Sequence, residues 1–309
     1  MSRLQAYGMA ALGAAVAGLA GIASAIGVFA RGDGAYQTVT SVRGVTYEMA
    51  TSGVYAFNAR QVVAEGVGWD AFTLFAAVPA MFFASFFVAR VSFRGRLAAI
   101  GMFGYFFYQY LEYAVTWAFG PLFPLFIGIY AGSLAGIVGL GTSLARDGLT
   151  DRFERFPRRS FALLNVSMAL LLTVMWMGRI ATALGGDLVG AAFYGETTMV
   201  VQALDLGLVI PTALFAAYLV MRRSQAGYAL AAAFAVTFIA MSAAIVAMLL
   251  SAGVVNGEFA LPPIATFGAF IALSALVALR IYGGVQLTGV ETGLSQARPL
   301  QAAAGPAHG

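Results

Sequence analysis

The residues of this chain best suited to chemistry lie within three apolar stretches. In the third such stretch Tyr105, Tyr108, Gln109, Glu112, Tyr113 and Thr116 succeed one another at helical spacing, which places all six on one face of an α-helix. A polar stripe inside hydrocarbon must face protein or water, and a carboxylate there is costly enough to mark a candidate site. Thr198, Gln202 and Asp205 share one helical face in the sixth stretch, and Trp176 and Arg179 stand one turn apart in the fifth.

Helical rise sets the depth of these groups. At about 1.5 Å per residue, Glu112 lies about 22 Å from the Leu97 end of its span and Asp205 about 20 Å from the same edge of a core about 30 Å thick. Arg179 reaches about 28 Å by the same arithmetic. The two acids are therefore expected level with each other, with the arginine just beyond them. Two carboxyls against one guanidinium leave a deficit of one positive charge, which a shared proton, a bound cation or a cationic substrate would supply. Glu112, Asp205, Arg179, Gln109, Gln202, Tyr105, Tyr108 and Trp176 form the expected binding site. The competing reading is a satisfied network that only holds three helices in register. Asp70 and Thr73, expected at the outer end of the second span, would extend the pocket, but the preferred reading of Trp69-Asp70 is a helix-start anchor, and Glu196 is read in the same way.

Composition removes many other chemistries. The 309 residues contain no cysteine and a single histidine, His308 in an Ala/Gly/Pro tail, so thiolate chemistry, iron–sulfur clusters and His-ligated haem, copper or zinc are not expected. All 17 basic residues are arginine, which leaves no lysine for a Schiff base to retinal or pyridoxal phosphate. HExxH, GxxxxGK and nucleophile-elbow signatures are absent. No cofactor or metal is expected, and the net charge of +4 reads as a topology signal, with no support for nucleic-acid binding.

Hydrophobic residues make up 61% of the chain and charged residues only 10%, against about 25% charged in soluble domains. The fold class expected is an all-α, polytopic membrane bundle of about eight helices, at 8–30, 70–91, 97–119, 122–145, 160–183, 198–221, 227–250 and 261–281. Ala23-Ser24-Ala25 in the first resembles a signal-peptidase site, but the apolar run continues past it and is read as a retained span. Residues 1–283 form the membrane domain, and 284–309, rich in Ala, Gly, Pro and Gln, are expected disordered. The loop at 31–69 is expected to carry a partly apolar surface helix over 45–65 that caps the bundle.

Arginines cluster in alternate connections: Arg90, Arg94 and Arg96; Arg146 to Arg159; Arg222 and Arg223; Arg280. The positive-inside rule then places both termini in the cytoplasm, and the Arg, Ala and Gly bias suggests a bacterial inner membrane. Arg90, Ser92 and Gly95 follow Pro79 at the spacing with which Arg222, Ser224 and Gly227 follow Pro211. This suggests a weak parallel repeat of four spans, with Pro79 and Pro211 as mid-helix kinks or hinges. Gly128, Gly132 and Gly136 in span four, and Ala10, Ala14, Gly18 and Gly21 in span one, suit close helix packing.

The best functional reading is a small-solute or proton-linked permease. The alternative is a non-catalytic membrane subunit or scaffold, packed against a second copy or another membrane protein. An intramembrane lipid-modifying enzyme is the least supported. Expected partners are the lipid bilayer and a small solute, proton or cation.

Overall fold

Long apolar runs satisfy every backbone polar group in hydrocarbon only as helices or closed barrels, and here they form helices. A computed structural model describes residues 1–147, 152, 153 and 155–285. In these residues eight long helices follow one another: α1 (Arg3–Phe29), α2 (Arg60–Ala89), α3 (Phe93–Thr116), α4 (Phe123–Ala145), α5 (Arg158–Leu184), α6 (Val200–Met221), α7 (Gln225–Asn256) and α8 (Leu261–Gly283). Seven are long and apolar enough to cross a membrane. The exception, α3, carries Arg94, Arg96, Gln109 and Glu112. It is also the most enclosed helix, with 15 of 24 residues buried, and α2, α4, α6 and α7 all pack against it. Neighbouring helices screen its polar side chains from lipid, whose cost would otherwise exclude them. Large apolar side chains such as Phe83, Leu163, Leu170, Leu273 and Leu279 are left on the outer faces of the bundle.

The segment after α1 departs from expectation. Tyr36–Thr40 (β1) and Thr46–Ala50 (β2) form an antiparallel hairpin with Tyr36 opposite Ala50 and Thr40 opposite Thr46. Both strands are rich in Thr, Tyr, Val and Met, and Gly44 in the turn takes a φ of 80°, which glycine adopts without steric cost. No surface helix spans 45–65, and α2 instead begins at Arg60 rather than near 70. Its outer turns are held in the bundle by close crossings, in which Gly68 meets the α7 backbone at Ala247 and Gly66 lies under the Trp117 ring.

The repeat extends to conformation. A wide π-helical turn precedes each mid-helix proline, at Thr73–Ala77 before Pro79 and at Asp205–Val209 before Pro211. Proline has no N–H to donate and crowds the carbonyl four residues back; the wider turn accommodates it while the helix continues. Val91 and Arg223 occupy matching positive φ angles of 59° and 57°. Ser92 and Ser224 stand at the following N-caps, and Gly95 and Gly227 press against Phe87 and Leu219. Within copies, α1 packs on α2, α2 on α3 and α3 on α4, as α5 packs on α6, α6 on α7 and α7 on α8. Between copies α3 meets α7, while the outer turns of α2 meet α7 and those of α6 meet α3. This is the pattern of a parallel repeat about an axis along the membrane normal.

The small-residue faces divide. A methyl at Gly136 would come 2.5 Å from the Phe103 ring, and one at Gly132 3.0 Å from Val16, so these two seat α3 and α1 on α4. Gly21 has ordinary contact with Val78, while Gly18 and Gly128 face open space among the described residues, unlike the expected close approach. A further unforeseen close crossing joins α3 to α7. There Gly101 and Gly104 of α3 accommodate Val236 and Thr237 of α7, and the Thr237 hydroxyl donates to the Gly101 carbonyl at 2.8 Å. The expected disordered tail, 284–309, lies outside the described residues beyond Val285.

Candidate functional site

Asp205 opens the π turn of α6, where the helix widens, and it gathers three helices around one carboxylate. Tyr108 of α3 donates to Oδ1, and the Trp176 indole of α5 donates to Oδ2 at 2.7 Å. One turn further along α3, Glu112 is only 6% exposed. Its Oε2 and the Thr116 hydroxyl one turn beyond have no hydrogen-bond partner among the described residues.

Gln109 is wholly buried. Its carbonyl oxygen accepts from the Thr73 hydroxyl at 2.9 Å, while its Nε2 finds no acceptor. Thr73 opens the π turn of α2, the position equivalent to Asp205 in α6, and also meets the Tyr105 hydroxyl at 2.6 Å. The Trp69 indole donates to Tyr105 at 3.1 Å. Each copy thus turns the first residue of its π segment toward a tyrosine of α3. Gln202, in the first turns of α6, is 3% exposed.

Arg179 does not pair with either acid, and among the described residues it forms no salt bridge. Its guanidinium donates to the carbonyls of Ala191 at 2.6 Å and Ala192 at 2.9 Å and lies 5.9 Å from the Trp176 ring. It therefore anchors the connection between α5 and α6. Its charge still bears on Glu65 and Glu196. Burial pushes the Glu196 carboxyl above the ordinary carboxylate range, with Arg179 opposing the shift and Glu65 adding to it.

The electrostatic neighbours of Glu112 are Asp205, Glu65 and Glu196. Arg179 bears on Glu65 and Glu196 and forms no salt bridge with Glu112 or Asp205 among the described residues, so it does not supply the compensating charge that the sequence suggested for those two acids. Glu65 escaped the sequence reading because residues 60–69, with two glycines and an acid, were assigned to the outer loop. Had α2 been started at Arg60, helical spacing would have put Glu65 in the bundle. Asp70 is likewise misplaced as a helix-start group. It lies within α2, 1% exposed, accepts from the Tyr55 hydroxyl and leaves Oδ1 unpaired. Gly27 of α1 leaves it room, since a methyl there would collide with both Asp70 and Tyr55. Among the described residues no three His, Cys, Asp or Glu side chains are grouped to hold a metal ion.

Fold and composition define the class: a multi-pass α-helical membrane protein that meets the bilayer through its apolar helix faces. Comparison with protein-family models, with curated proteins and with solved structures gives no significant match for this chain.

Proposed function

We propose that this protein is a proton- or cation-linked permease for a small solute, working in a bacterial inner membrane with its arginine-rich end in the cytoplasm. The observation that carries the reading is the buried Glu112 carboxyl, whose Oε2 has no hydrogen-bond partner among the described residues and to which Arg179 forms no salt bridge. An uncompensated carboxylate in a low-dielectric interior is too costly to persist, so a proton or a cation must accompany it, and that is the coupling species. Asp205 is held in position by two neutral donors. Gln109 through its free Nε2, Gln202 and the tyrosines orient the solute. The π turns at Thr73–Ala77 and Asp205–Val209, each followed by a proline, serve as paired hinges.

Flux of pH and of a broad solute panel into reconstituted vesicles tests this. Glu112→Gln is expected to abolish proton- or cation-dependent flux while the fold persists, and Asp205→Asn to reduce it. Equal flux in wild type and both variants across the panel would refute the permease. The alternative, a scaffold subunit, is favoured by Gly18 and Gly128, which face open space among the described residues. It requires Gly128→Leu to dissociate a complex that Glu112→Gln leaves intact.

A further inference from the structure

At the arginine-rich end, a cavity of about 350 Å³ lies between the start of α5 and the α6–α7 turn. Phe153, Arg155, Phe156, Arg158, Arg223 and Tyr228 line it. Phe156 and Tyr228 stack face to face, 4.2 Å apart and within 5° of parallel, with Phe153 edge-on to both. Among the described residues, none of the three arginine side chains has an ion pair or hydrogen bond. Two helices begin here without a side-chain cap, α5 after Pro157 and α7 after Ser224. Their first backbone N–H groups and positive dipole ends therefore have no side-chain acceptor at this edge of the molecule.

The other half of the repeat provides an internal comparison. There the helices equivalent to α5 and α7 are α1 and α3, and both are capped, by Ser2 and by Ser92. Arg96, the residue after Gly95, pairs with Asp147 at 2.5 Å, and Asp147 also stands 3.8 Å from the terminal amine of Met1. One protein carboxylate thus meets both Arg96 and the Met1 amine where α3 and α1 begin. In the second copy the residue after Gly227 is Tyr228, and no described carboxylate balances Arg155, Arg158 and Arg223. The same architecture has an internal anion in one half and a basic, aromatic-walled cavity in the other.

We infer that this cavity binds the phosphate of an anionic glycerophospholipid of the adjacent leaflet. Guanidinium groups match phosphate oxygens bidentately, and uncapped helix N-termini add N–H donors directed at an anion. Basic pockets at the ends of membrane helices suit such headgroups. The headgroup is favoured over free phosphate because the cavity opens where spanning helices end, and its stacked rings suit the depth at which glycerol and the first acyl carbons lie.

The test is native mass spectrometry of the full chain released from nanodiscs of equimolar phosphatidylcholine and phosphatidylglycerol. Wild type is expected to retain phosphatidylglycerol selectively. Arg155→Gln/Arg158→Gln/Arg223→Gln is expected to lower the retained ratio about tenfold. The control Arg3→Gln/Arg146→Gln/Arg280→Gln, with the same charge removed from the same end outside the cavity, should leave it within about twofold. If the triple variant fails to fold by gel filtration, the exposed Arg223→Gln alone carries the test. Three results would overturn the inference: no lipid preference in wild type, equal loss in variant and control, or displacement of the lipid by millimolar inorganic phosphate. The last would assign the site to free phosphate.

Discussion

Two buried carboxyls of the outer half differ in their partners. Asp205 accepts from Tyr108 and Trp176, whereas Glu112 leaves Oε2 without a donor. Removing the acceptor at 205 strands two part-buried donors, where each loss costs at most about 1–3 kcal/mol. Asp205→Ala should therefore lower the thermal midpoint of the purified protein clearly more than Asp205→Asn, which keeps one acceptor oxygen; an equal effect would mean that the two donors are indifferent to Asp205. Glu196 gives a pH signature. Folding raises its pKa, so the native state holds this proton more tightly than the unfolded chain does. That stabilisation is present at low pH and is lost as pH rises through the carboxylate range to the native value. Glu196→Gln should thus gain thermal stability relative to wild type as pH rises above the ordinary glutamate value, and a gap that is flat or narrows with pH would contradict the burial of this carboxyl.

At the scale of elements, the helices were legible because apolar runs must be helical in lipid, and α3 presented its polar face at the expected spacing; in α6 Gln202 and Asp205 are helical, whereas Thr198 lies before the helix, which begins at Val200. Helix ends were less so. Arg60–Trp69 has helix-compatible spacing, but its glycines, acid and glutamine read as loop until α7 is seen packed on Gly68. The prolines were visible, whereas the π turns that absorb them depend on backbone geometry that residue type does not encode. Glycine spacing likewise identified candidate faces without their partners. Gly136→Leu must displace the Phe103 ring and should cost about 1–3 kcal/mol, whereas Gly128→Leu, in open space, should cost under about 0.5 kcal/mol. Thermal unfolding of the two variants side by side would expose any error, since similar losses would mean that Gly128 is covered as well.

Across the whole molecule, charge is divided by end. Arginine turns gather where α3, α5 and α7 begin, while Glu65, Asp70, Glu112, Glu196 and Asp205 all belong to the opposite half. The absence of cysteine makes orientation directly testable. A membrane-impermeant thiol reagent applied to intact cells should label Thr40→Cys in the hairpin and spare Arg222→Cys, and the reverse pattern would invert the proposed topology.

By itself, the sequence determined that the chain is a polytopic helical bundle and which helices carry polar residues, and it suggested a repeat of two halves. These follow from composition and period, which act along the chain. Tertiary structure decided that Arg179 turns to the carbonyls of Ala191 and Ala192, that Glu65 lies within α2, and that Asp147 pairs with Arg96. Those outcomes depend on which groups meet across helices, and in a low-dielectric interior the presence or absence of one partner a few ångströms away changes the cost of a charge by several kcal/mol or more.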